Sequence, residues 1–259
     1  MKTQTNTKKL LIAAAMFAGI TLTLSSCHKD ASSSTSNTIT EADAAQVTSE
    51  AVSPSTGGMA SQVSSSAAFF SSATVSGGTV SSVNQKSLYS TIVCGQTKDS
   101  TVSYASLTTT APAFTYSLSW QNTLACTVPS TFTCTFNGKG SYTGLLESST
   151  FTSTGSFVLT GLGASATSYT FGSTYNRQGT TISKIGNQNT FTHSLTITSS
   201  NIIYDKTTQE ITSGTATVSV KVTSTSGNSW IYGGTLTFLG NKTASLTLNS
   251  GTVYTISWT

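Results

Sequence analysis

Charge is scarce in this chain: Asp, Glu, Lys and Arg make up 8% of its 259 residues. After residue 26 the basic residues stand far apart, so the phosphate-neutralising stripe of a nucleic-acid binder is missing, and nucleic acid is excluded as a partner. Histidine is rarer still, with only His28 and His193 present. A serine nucleophile needs a base, and Phe191, Thr192, His193, Ser194, Leu195 put His193 on the apolar parity of a strand, as a core residue rather than a general base. No Gly-X-Ser-X-Gly elbow occurs in a strand-to-helix context. The few acids are dispersed: Asp30, Glu41, Asp43 and Glu50 lie near the N-terminus, and Asp99, Glu147, Asp205 and Glu210 are scattered beyond. Asp205 and Glu210 flank one turn, where solvated acids are routine. Paired-carboxylate chemistry is therefore not expected. No second Cys or His stands at ligand spacing, so neither a metal nor a cofactor is expected.

Cysteine is also sparse. Of four, Cys27 closes the N-terminal segment, leaving Cys94, Cys126 and Cys134 as disulfide candidates. That odd number leaves one thiol over in an oxidising compartment. All three share the apolar parity of their strands. Cys126 and Cys134 flank Pro129 and Ser130 and could face each other across a hairpin. Cys94 with Cys126 closes the longer loop and is mildly preferred.

What is present begins with an address. Lys2, Lys8 and Lys9 precede an apolar stretch from Leu10 to Leu24, which is shorter than the about 20 residues of a membrane span and reads as a cleaved signal peptide over residues 1–26. Without its lysines, nine basic residues face eight acidic ones, so the net charge of +4 falls to +1. Leu24, Ser25, Ser26, Cys27 resembles the lipobox of bacterial lipoproteins, which implies acylation of Cys27 and attachment to a membrane. His28 and Lys29 follow without Asp at the second position. By the same resemblance this implies an outer-membrane protein, periplasmic or surface-facing.

Residues 27–39 read as a Ser/Ala/Thr tether. Thr40 followed by Asp43 is the start signal of a helix running to about Val52, and a second helical stretch is expected over residues 58–68. Residues 40–70 thus form short helical segments expected to pack on the sheet that follows or on its open end. From residue 71 to 259 the period becomes two: Phe114, Tyr116, Leu118, Trp120, then Val218, Val220, Val222, then Tyr254, Ile256, Trp258 alternate with Ser and Thr. Turn chemistry is read at Asn137–Gly138, Gly161–Gly163, Asn176–Gly179, Gly186–Asn189, Asp205–Thr208, Ser226–Asn228, Gly240–Lys242 and Asn249–Gly251. Short connections give an all-β antiparallel meander. Around ten long strands with one apolar face must form one strongly curled sheet or half-barrel, with a β-sandwich as the alternative.

The C-terminal run Gly234 to Ala244 through Tyr254 to Trp258, with the cysteine-bearing strands and the signal peptide, resembles uncharacterised Bacteroidota cell-envelope lipoproteins. That resemblance implies an envelope protein and carries no activity. Asp99, Ser100, Thr101 resembles the O-glycosylation acceptor of the same group, with Ser100 as the modified residue in a loop. Trp230 and Tyr232, beginning a strand beside a polar turn, are candidate ligand-facing aromatics, and Tyr169, Tyr175 and Arg177 form a second candidate platform for stacking on sugars. The expected function is a non-enzymatic, lipid-anchored module binding a glycan, protein or lipid. A carrier of a hydrophobic ligand is the alternative, and a hydrolase comes third.

Overall fold

The computed structural model describes residues 38–72, 95, 97–105, 113–125, 130–184 and 189–258. Cys27, Cys94 and Cys126, the signal peptide and most of the tether lie outside them. Helix α1 (Glu41–Val52) starts on a complete capping box: the Thr40 backbone N–H donates to the Asp43 carboxylate at 2.8 Å, while the Thr40 hydroxyl accepts from the Asp43 N–H. These bonds satisfy donors that a helix start leaves open. A short 3₁₀ turn over Pro54–Thr56 leads into α2 (Met59–Ser72), longer at its C-terminal end than the sequence suggests.

Ten strands follow in strict meander order, each antiparallel to the last. They are β1 (Thr97–Ala105), β2 (Ala113–Ala125), β3 (Thr131–Thr143), β4 (Glu147–Thr160), β5 (Ser168–Ser183), β6 (Thr190–Asp205), β7 (Glu210–Ser224), β8 (Ser229–Gly240), β9 (Thr243–Leu248) and β10 (Val253–Ser257). The sheet is open, with β1 and β10 as its edges. Strands spaced at about 4.8 Å would put β2 and β10 roughly 38 Å apart if flat, three times the ~12 Å width of a helix. Yet α1 touches β6, β7 and β10, α2 touches β4 to β6, and the 3₁₀ turn touches β2 and β3. The sheet therefore curls around the helices as a half-barrel, and its concave face is filled by them.

Alternation sorts the two faces. Phe132, Phe136, Phe157, Phe171, Leu195 and Val220 point inward and are buried. An extra residue in β6 shifts the register between Phe171 and Ser173, moving the inward parity from Ile197 to Ile202. Asn201 locks this bulge by accepting from the Thr215 N–H at 3.0 Å.

Two expected turns are strand interiors. Asn137–Gly138 lies within β3 and Asn176–Gly179 within β5. Their glycines serve close approach instead of reversal. A Cβ on Gly138 would meet Leu118 Cδ2 at 2.4 Å and Ser153 Oγ at 2.6 Å, and one on Gly179 would meet the Thr150 carbonyl at 2.2 Å. Reversals fall where expected at Gly161–Gly163, Asp205–Thr208, Ser226–Asn228, Gly240–Lys242 and Asn249–Gly251.

Candidate functional site

Three places in the fold gather polar side chains: the space beneath α1, the outer face of the sheet, and a cleft beside α2. Beneath α1 lies a buried charge cluster. Arg177, fully enclosed, donates from Nη2 to Glu50 Oε2 at 2.9 Å, and Ser149 Oγ donates to the same oxygen at 2.8 Å. The guanidinium carbon lies 3.5 Å from the centre of the Phe151 ring, adding a cation–π contact in a desolvated setting. Glu147 sits beside the Glu50 carboxylate. Burial, then the hydrogen bond to Glu50 and that neighbour's charge, holds its own carboxyl protonated, well above the usual range. Burial also pushes Tyr142 up to about 12. His193 is driven down to about 3 by burial and then by the Arg177 charge, so it is neutral, with Nδ1 3.2 Å from the Thr181 hydroxyl. His193 Nε2 is buried without a hydrogen-bond partner among the described residues, while Tyr175 OH lies beside Arg177 and Ser153.

The sequence reading placed Glu50 among dispersed acids and Glu147 alone. The fold instead brings them together with Arg177, which lies 127 residues from Glu50 in sequence. One signal was available: Glu147 and Arg177 both sit on the inward parity of their strands. Tyr169, Tyr175 and Arg177 do not form an exposed platform, since all three are buried. Tyr169 instead pairs its hydroxyl with Ser71 at 3.0 Å. His193 is a core strand histidine, as its parity implied.

The outer face is a lattice of hydroxyls. Register aligns Thr135, Ser156, Thr174, Thr198, Thr217, Thr235 and Thr247 as one row crossing β3 to β9. A second row, Thr115, Ser141, Thr150, Thr180, Thr192, Thr223 and Ser229, crosses β2 to β8. Neighbours bond directly where rotamers allow, as Thr115 with Ser141 and Thr223 with Ser229, each at 2.8 Å. Beside the second row an open trough of about 680 Å³ carries Thr152, Gln178, Thr180, Ser194 and Lys221.

The third place is a cleft of about 370 Å³ between α2 and β1 to β3, with Ser61, Ser64 and Ser65 on one wall and Tyr116, Leu118 and Trp120 on the other. The Trp120 indole donates to Gln62 Oε1 at 2.8 Å, and Gln62 Nε2 donates to the Gly57 carbonyl, so the ring is held from behind.

The remaining sequence candidates take definite positions. Trp230 and Tyr232 pack partly buried against the core, and the Tyr232 hydroxyl donates to the Ile39 carbonyl at 2.6 Å, tying down the approach to α1. Ser100 belongs to edge strand β1 and not to a loop, and accepts a long bond from Asn122 Nδ2 at 3.4 Å. Cys134 is a free, buried thiol, pushed up to about 11 by burial. Among the described residues no three His, Cys, Asp or Glu side chains gather as a metal site needs, and no helix is long and apolar enough to cross a membrane. No protein-family model, curated protein or solved structure matches this chain.

Proposed function

We propose that this chain is a non-enzymatic cell-envelope lipoprotein, fixed to the outer membrane through acylated Cys27, whose rigid curled sheet presents its outer hydroxyl face to a glycan or protein partner. The observation that carries the reading is the pair of Thr/Ser rows aligned across consecutive strands beside the polar trough. Threonine hydroxyls on a β-sheet are stiff at χ1, so such a face offers donors and acceptors at little cost in side-chain entropy. The concave face, by contrast, is occupied by α1 and α2, which favours a scaffold over a carrier with a hollow lumen. The charge cluster is buried and its histidine is a weak base, held down by burial and the Arg177 charge, which favours a structural role over hydrolysis.

Glycan and protein arrays probed with the full chain test the binding face. Binding is expected to fall when Thr150, Thr180 and Thr192 are replaced together by valine, which keeps shape and removes hydroxyls. No ligand on either array overturns the reading. Palmitate labelling of the wild type and of Cys27→Ser tests the anchor, and label retained by the variant refutes it.

A further inference from the structure

The cleft beside α2 has the make-up of a small-molecule site distinct from the outer face. We propose that it binds a neutral, sugar-sized polyol, one ring or at most two. Its volume of about 370 Å³ lies at the small end of the roughly 300–1,000 Å³ typical of ligand pockets. Its walls differ in kind. Ser61, Ser64 and Ser65 recur at the three- and four-residue spacing that stacks side chains on one helix face. Opposite them, Tyr116 and Trp120 supply aromatic surface. A pyranose has this same division, with C–H groups for aromatic faces and an equatorial rim of hydroxyls for polar partners.

Three further observations narrow the ligand. Among the described residues no Asp, Glu, Lys, Arg or His lines the cleft, so none of them compensates a charged ligand. The buried Ser66 hydroxyl, also lining the cleft, has only the Cys134 thiol, a weak partner, beside it among the described residues. Asn122, equally buried, makes two bonds among the described residues, both long at 3.4 Å and both from Nδ2. Buried polar groups left short of partners are costly, and a polyol could satisfy them where an acyl chain would not. Trp120 is already fixed by Gln62, so the aromatic wall need not be ordered when a ligand arrives.

The test is saturation-transfer NMR on the full chain, held in a detergent without a sugar headgroup. The probes are the methyl glycosides of glucose, galactose, mannose and N-acetylglucosamine. At least one is expected to bind saturably with a Kd of about 1 mM or below, as a ligand this small allows. Ser65→Phe, which fills the cleft from the part-exposed side of α2, is expected to weaken binding by roughly tenfold or more while the thermal midpoint stays put. Ser66→Ala should also weaken binding, by several-fold, while the thermal midpoint stays close to wild type, because the hydroxyl it removes has only a weak thiol partner in the fold. Saturable binding lost in both variants supports the proposal. No binding by any probe overturns it, as does binding that survives Ser65→Phe or a lipid co-purifying in the cleft. Array binding that survives Ser65→Phe but is lost in the threonine-to-valine variant assigns recognition to the outer face alone.

Discussion

The two helices lie in the same concave sheet, yet they are held there by opposite chemistry. α1 buries Glu50 and Gln46 along with Ala44, Val47, Ala51 and Val52, and its firmest link to the sheet is an enclosed ion pair. α2 is held by aromatic packing at its C-terminal end: the Phe69 and Phe70 rings lie 5.7 and 5.4 Å from Phe132, and Phe70 meets Tyr169 edge-on at 5.9 Å. Apolar packing tolerates small shifts of a helix; a charge enclosed with one partner does not. The difference teaches which helix has a fixed seat and which can leave room for a ligand. α1 is set by the Arg177 contact, while α2 rests on ring packing and the neutral Gln62–Trp120 hydrogen bond, and leaves a cleft between its serines and β1 to β3.

The comparison breaks most visibly at Arg177. Arg177→Leu leaves Glu50 buried without its cation, and a loss of about 3–5 kcal/mol is expected in denaturant unfolding. Glu50→Leu with Arg177→Leu should recover much of it, because an apolar pair of similar volume carries no desolvation cost. Equal losses in the single and double variants would show that the pair does not seat α1. On the other helix, Phe69→Ala is expected to cost about 3 kcal/mol through lost packing and a residual cavity, with no dependence on pH.

A sharper distinction lies in how the cluster under α1 responds to pH. Glu147 has a folded pKa raised above its unfolded value of 4.5. Its contribution is therefore complete below pH 4.5 and declines as the pH rises toward the folded pKa, since the unfolded chain ionises first. His193 is opposite, with a folded pKa of about 3 against 6.5. Its contribution is complete above pH 6.5 and is lost as the pH falls through 3. Between 4.5 and 6.5 the two slopes oppose each other, so the pair predicts a plateau with a decline on either side. Glu147→Gln should flatten the alkaline limb and His193→Gln the acid limb, as read from unfolding midpoints across pH. If neither limb changes, these groups are not the titrating ones.

How far these regions were legible in the sequence follows the same division. Strand parity marked Phe132, Phe136, Leu195 and Val220 as inward, because a period of two leaves no other choice for a one-sided sheet. The Thr40–Asp43 start of α1 was legible too, because it is a contact of three residues' span. The ion pair was not: Glu50 meets Arg177 only after the sheet has curled, and nothing local on a short helix distinguishes a buried acid from a solvated one. Arg177 beside Tyr175 reads as a surface platform when the two are taken as neighbours in sequence. Their shared inward parity argues the reverse. Asn137–Gly138 misled for a related reason, since a glycine that makes turns also makes room, and only the Leu118 and Ser153 side chains facing it decide which. The cleft depends on how far α2 stands from β2, a distance no periodicity encodes.

The smallest effect tests the comparison from its other end. If α1 is seated by Arg177, its capping box should matter only as a local term. Thr40→Ala removes a side-chain acceptor at an exposed helix start and should cost about 1 kcal/mol, as N-cap truncations do. Tyr232→Phe, which deletes the donor to the Ile39 carbonyl, removes a single neutral hydrogen bond and should cost a similar amount. Hydrogen exchange resolves the two effects by place. Thr40→Ala is expected to raise exchange in the first turn of α1 while the amides near Glu50 stay protected, because the ion pair holds that end independently. If Thr40→Ala instead exposed the whole helix, or cost as much as Arg177→Leu, α1 would be fixed by its start. The contrast with α2 would then rest on capping rather than on buried charge.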